Sequence, residues 1–97
     1  MAAYMVLSKW TAQGVQNVKQ SPSRVDAARK AFEATGFKLK EVYMTLGQYD
    51  IVLVVEAPDD ATFAKALLTV VAGGNIQTET LRAFTEDEYR AIVSSLP

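Results

Sequence analysis

Cysteine and histidine are both absent from this 97-residue chain. Without cysteine there is no disulfide, no thiolate nucleophile and no zinc–sulfur site. Without histidine, the Ser-His and Cys-His machineries, imidazole metal ligation, a histidine haem ligand and a histidine pH switch are all excluded. Neither sign of charge dominates: ten basic against eleven acidic residues leave a net charge of −1, which argues against a nucleic-acid partner. No apolar run approaches the ~20 residues that cross a bilayer. The stretch Met1–Leu7 is too short and uncharged for a signal peptide, and Lys9 follows its apolar run instead of preceding it. A soluble, cytoplasmic protein without a membrane partner is expected, and the lack of cysteine fits that compartment. There is no Gly-x-x-x-x-Gly-Lys phosphate loop and no Gly-x-Gly-x-x-Gly motif.

What is present is an ordinary globular composition, 49% hydrophobic and 22% charged. The length makes one domain over residues 1–97, and a chain this short hides only about 60–65% of its unfolded surface. Residues 4–10 are rich in β-formers and predict a first strand. Residues 11–18 predict a short helical turn with Thr11 as its cap and Gly14 weakening it. Ser21-Pro22 predicts a full helix, with serine at the N-cap and proline at the first helical position. Val25, Ala28 and Phe32 give that helix one buried face, and Gly36 ends it. Residues 37–46 and 49–57 predict two strands joined at Gly47-Gln48 as a hairpin. A second helix follows over about 60–72, capped by aspartate, with Phe63, Leu67 and Val70 inward and Gly73-Gly74-Asn75 stopping it. Residues 76–84 alternate as a fourth strand, and Thr85 and Glu88 have capping-box spacing for a short terminal helix.

The order β-α-β-β-α-β is the ferredoxin-like pattern, an α+β fold with a four-stranded antiparallel sheet, here with a C-terminal short helix. Two helices cover one sheet face; only the terminal helix is available within the chain for the other. Strand 49–57 is nevertheless apolar on both sides, with Ile51, Leu53 and Val55 on one and Val52 and Val54 on the other. Such a strand is normally buried on both faces. The simplest cover is a second copy, sheet against sheet, so a homo-oligomer of at least a dimer is expected.

Gly47-Gln48-Tyr49-Asp50, then Glu56-Ala57-Pro58-Asp59-Asp60 and Thr80-Leu81-Arg82-Ala83-Phe84, resemble the GYD domain family, as do Lys9-Trp10-Thr11 and Ser21-Pro22. Here Gln48 stands between the glycine and the Tyr-Asp pair. The resemblance spans essentially the whole chain. It implies a small protein of dimeric α+β barrel assembly and uncharacterised activity. Residues 47–80 are more loosely similar to the effector-binding domain of Lrp/AsnC-type regulators, in which small molecules bind at subunit interfaces; the DNA-reading helix-turn-helix of that group is missing.

Six residues stand out as candidate ligand-binding groups: Lys9, Trp10, Tyr43, Tyr49, Asp50 and Arg82. Tyr49 and Asp50 read either as a phenol–carboxylate pair for a polar ligand or as turn chemistry, with Asp50 bonding a nearby backbone N–H. Arg82 shares a strand parity with Ile76, Thr78, Thr80 and Phe84. If that set faces a partner sheet, its guanidinium needs a carboxylate, with Asp50 and Glu56 the available ones, or an anionic ligand. Trp10 can stack on a ligand or simply pack. Lys9 can anchor an anion or snorkel, and Tyr43 is a candidate cavity-facing hydroxyl. The acidic clusters Asp59-Asp60 and Glu86-Asp87-Glu88 sit at helix starts, where the dipole accounts for them, so no metal site is read there and no cofactor is expected. Two function classes follow. One is a non-catalytic homo-oligomeric module binding a small organic acid or amphiphile, or regulating through it. The other is a small cofactor-independent enzyme, isomerase or oxygenase-like, with an intersubunit active site; a purely structural assembly protein is a third reading.

Overall fold

A computed structural model describes residues 1–97. Its strands are β1 (Ala2–Trp10), β2 (Lys38–Met44), β3 (Ile51–Ala57) and β4 (Ile76–Ala83), and its helices α1 (Ala12–Gln16), α2 (Ser21–Glu33), α3 (Asp60–Val71) and α4 (Glu86–Ser94). The strands form one antiparallel sheet in the order β2-β3-β1-β4, which fits the ferredoxin-like fold. β1 therefore lies between β3 and β4, pairing Tyr4 with Val55 on one side and with Arg82 on the other.

Alternation along β1 sorts the whole sheet into two faces. Tyr4, Val6 and Ser8 are buried beneath the helices, whereas Met5 and Leu7 are half-buried and Lys9 is exposed on the other side. By register, Ile51, Leu53 and Val55 of β3 and Thr78, Thr80 and Arg82 of β4 join the helix-bearing face. Val52 and Val54, with Glu79 and Leu81, lie on the open one.

The core beneath the helices is small and lies toward the start of β1. Tyr4 stacks on Phe63 with centroids 4.2 Å apart, Phe37 packs on Phe63 at 5.8 Å, and Phe32 tilts onto Phe37 at 4.4 Å. Val6, Val55 and Ala57 complete it. The Tyr4 hydroxyl donates to Asp60 at the first turn of α3. Burial, reinforced by that bond, pushes the Tyr4 phenol up to about 12.

Most boundaries follow the sequence pattern, and the exceptions have physical causes. Ser21 is not a cap: a 3-10 turn over Val18–Gln20 runs directly into α2, so Ser21 is already helical and buried. β3 begins at Ile51, because residues 45–50 form a wider loop closed by Thr45 N–H on the Asp50 carbonyl at 2.8 Å. Gly47 turns that loop with φ +129. Gly14 is required by close approach: a Cβ there would lie 2.1 Å from the Asn75 carbonyl oxygen. α1 is latched to that same loop, Thr11 N–H donating to Asn75 O at 3.0 Å and Thr11 Oγ1 to Gly74 O at 2.6 Å. The terminal helix does form, with both capping-box bonds between Thr85 and Glu88 in place. None of its residues is buried, so it does not take the place of a cover for the sheet.

Candidate functional site

The open sheet face has an apolar middle and a polar border. Met5 and Leu7 of β1 lie beside Val52 and Val54 of β3, and Leu81 of β4 is 45% exposed. At the β2 border Lys40, displaced by a bulge between Leu39 and Glu41, reaches Glu56 at 3.3 Å. Tyr43 stands on this face too, and its hydroxyl donates to Glu41 two residues away at 2.7 Å. That bond holds the Tyr43 phenol above the usual tyrosine range.

Where β1 ends, the border becomes a basin of about 220 Å³ lined by Leu7, Lys9, Gln48, Tyr49, Gln77 and Glu79. The Lys9 ammonium sits 5.5 Å from the centre of the Tyr49 ring, within cation–π reach. The Tyr49 hydroxyl donates to Glu79 across the basin, and this bond raises its pKa first, with partial burial and the Glu79 charge adding to it. A phenol held in its neutral form is a hydrogen-bonding group rather than a base at ordinary pH. The basin thus offers one cation, one carboxylate and one phenol among polar side chains, with Leu7 its one aliphatic wall.

Two of the six residues singled out from the sequence, Lys9 and Tyr49, come together here. Glu79 was missed, since nothing local marks it; only the pairing of Lys9 with Gln77 brings β4 alongside. Asp50 borders the basin in sequence but points to backbone, its Oδ2 accepting the Trp10 N–H at 3.0 Å. Asp50 thus bonds backbone, as the turn reading had it, but the N–H lies across the sheet and not nearby in the hairpin. Trp10 belongs to the helix-bearing parity, opposite Ile76.

Arg82 is separated from the others in both face and position. Pairing with Tyr4 puts it on the helix side near the start of β1, five residues from Lys9 along the strand. The open face of β4 carries Gln77, Glu79, Leu81 and Ala83, the opposite parity from the one that would have aimed Arg82 at a partner sheet. Its guanidinium is exposed and rests over Phe84 at 4.6 Å and Tyr4 at 5.6 Å. Nη1 donates to the Ala83 carbonyl and, at 3.2 Å, to that of Ala3. Aromatic faces and backbone oxygens take the place of the Asp50 or Glu56 partner expected from sequence.

In each acidic helix start one carboxylate takes part in the cap. Asp59 accepts the Thr62 N–H at 2.7 Å, which lowers its pKa, and Glu88 is lowered by the Thr85 N–H in the same manner.

Comparison with known proteins bears on the family and the fold. The GYD domain model matches residues 4–93. A curated relative, the "Glutamine synthetase and cystathionine beta-lyase binding protein" of Thermus thermophilus, is 37% identical over 84 residues, covering 86% of this chain and 88% of the relative. Among solved structures, the crystal structure of TTHA0845 from Thermus thermophilus superposes with a TM-score of 0.57 at 25% identity, covering 88% of this chain and 95% of that one.

Proposed function

Because the chain belongs to the GYD domain family, we propose that it is a non-catalytic binding or regulatory protein that acts as a homo-oligomer in the cytoplasm. The observation that carries this reading is the uncovered sheet face, where Met5, Leu7, Val52, Val54 and Leu81 form an apolar middle that no element of the chain buries. A monomer rarely leaves such a surface to water. A symmetry-related copy places the same strip against itself, as two-fold pairing requires. The basin of Lys9, Tyr49 and Glu79 then becomes the rim of an intersubunit space suited to a small organic acid or amphiphile.

A protein partner is supported by the relative whose name records binding to glutamine synthetase and to cystathionine β-lyase. Tyr89, Ile92 and Val93 of α4, each about half exposed, give a second apolar stripe on which such an enzyme can dock. The tied phenols of Tyr43 and Tyr49 favour binding over proton transfer. No helix of the chain is long and apolar enough to cross a membrane.

Sedimentation velocity tests the assembly. A dimer or larger species is expected for the unaltered chain, and Val54→Asp should give a folded monomer by placing a charge at the centre of the strip. A stable monomer at micromolar concentration, or an unchanged oligomer in Val54→Asp, refutes the sheet-to-sheet arrangement. Retention of purified glutamine synthetase or cystathionine β-lyase on the immobilised protein, lost in an Ile92→Asp variant, supports the partner reading. Failure to retain either enzyme removes it.

A further inference from the structure

The aromatic cluster fills only one end of the space between helices and sheet. Toward the other end, where β1 finishes, a cavity of about 90 Å³ opens between α2, α3 and the sheet. Its walls are apolar: Val25 and Ala28 of α2, Leu39, Ile51 and Leu53 of the sheet, and Val70 of α3. Four polar residues, Ser8, Ser21, Arg24 and Asn75, also line it, and two of them, Ser8 and Arg24, carry an unpartnered buried donor. Ser8 is 2% exposed and its hydroxyl has no hydrogen-bond partner. Arg24 donates through Nη1 to the Asn17 carbonyl at 2.9 Å, while its Nη2 is buried and unpartnered. The ion pairs of the chain are Arg29 with Asp26, Lys40 with Glu56 and Arg90 with Glu86, so no carboxylate neutralises Arg24.

Buried donors ordinarily find an acceptor, because leaving them dry is costly and more so when the donor is charged. A hydroxyl and a guanidinium N–H on the wall of an apolar space call for acceptors at one end of a ligand and hydrocarbon behind them. The space has an entrance. Trp10, Ser21, Val25 and Ile51 line both the cavity and an outer groove of about 440 Å³ beside α2.

We propose that this cavity binds a short aliphatic carboxylate, its oxygens on Arg24 Nη2 and Ser8 Oγ and its chain against Val25, Ala28, Leu53 and Val70. Size sets the class: a cavity of about 150 Å³ holds the six carbons of benzene, so this one takes about four heavy atoms, the carboxylate with its first carbons, and the groove receives the rest of a chain of roughly three to five carbons. An inorganic anion leaves the apolar walls uncovered, and a neutral hydrocarbon leaves both donors unpaired. The site lies within one protomer and on the opposite side of the sheet from the basin of Lys9 and Tyr49, so it does not depend on self-association.

Trp10 is the chain's one tryptophan and lines the cavity, so its fluorescence reports occupancy. Titration of the full chain with sodium butyrate should give a saturable change with a Kd of about 1 mM or tighter, whereas 1-butanol and sodium chloride should not. Arg24→Met should weaken butyrate binding by roughly tenfold or more. Ser8→Ala should weaken it less, and should raise the thermal midpoint of the free protein by removing an unpaired hydroxyl. Ala28→Leu should abolish binding by filling the space with carbon, with its thermal midpoint establishing that it is folded. Equal binding by butyrate and butanol, undiminished binding in Arg24→Met, or no saturable response up to about 20 mM butyrate overturns the proposal.

Discussion

At the end of β1 the Asp50 carboxylate takes the role of a neighbouring strand, accepting the Trp10 N–H from 40 residues away in sequence. Asp50→Ala should therefore cost about 1–2 kcal/mol in urea unfolding, the range for stranding a partly buried backbone donor. Asp50→Asn, which keeps an acceptor oxygen, should recover most of that. Tyr4 gives a pH prediction. Its phenol is held to about 12 in the folded protein against about 10 in the unfolded chain. Between those values the unfolded chain releases a proton that the folded one keeps, so stability falls as pH rises through that window and is unaffected by this group below it. Denaturant midpoints measured across the alkaline range should decline more steeply for the unaltered chain than for Tyr4→Phe. The sequence left Asp50 open between turn chemistry and a ligand pair with Tyr49; the turn alternative implies a bond to backbone, but to a nearby N–H. Its actual partner was not legible, because a bond across the sheet is fixed by register, and local sequence carries no record of register between distant strands. The same reason hid Glu79 beside Tyr49.

Caps were the most legible feature at the level of elements. Asp59 and Thr85 each bond the N–H that their spacing indicates, since capping is settled within four residues. Ser21 looked identical and differs only because the preceding residues already turn. Gly14 shows the limit of reading propensity alone: it weakens α1 as a helix, yet it is what lets α1 touch the Gly73–Asn75 loop. Gly14→Ala improves helix propensity by up to about 1 kcal/mol, but the added methyl collides with a backbone carbonyl that cannot swing aside. We expect a net loss of about 1–3 kcal/mol in thermal unfolding. A gain on this substitution would mean that α1 and the loop are not in contact.

Across the whole molecule, only ten of 97 residues are buried, so a single copy has little core from which to draw stability. If the open face is covered by a second copy, association and folding are linked, and the thermal midpoint should rise with protein concentration. Val54→Asp should remove that dependence while keeping the far-ultraviolet circular dichroism of the fold. The two-sided apolar character of β3 made the uncovered face visible in the sequence, because it is a property of one short strand. The parity sets of β4 were visible in the sequence, but which sheet face each one takes was not, since that depends on which residues lie opposite β1; hence Arg82 was considered for the partner-facing side and lies on the helix side. The central position of β1 has one more consequence, for synthesis. β1 leaves the ribosome well before its partner β4, since Ala3 pairs with Ala83 and Trp10 with Ile76. Until residues 76–83 emerge, an apolar strand waits with one edge bare, the condition in which nascent chains recruit chaperones or aggregate. Such distant pairing also slows closure of the sheet, which waits for β4 to emerge and does not proceed strand by strand with synthesis.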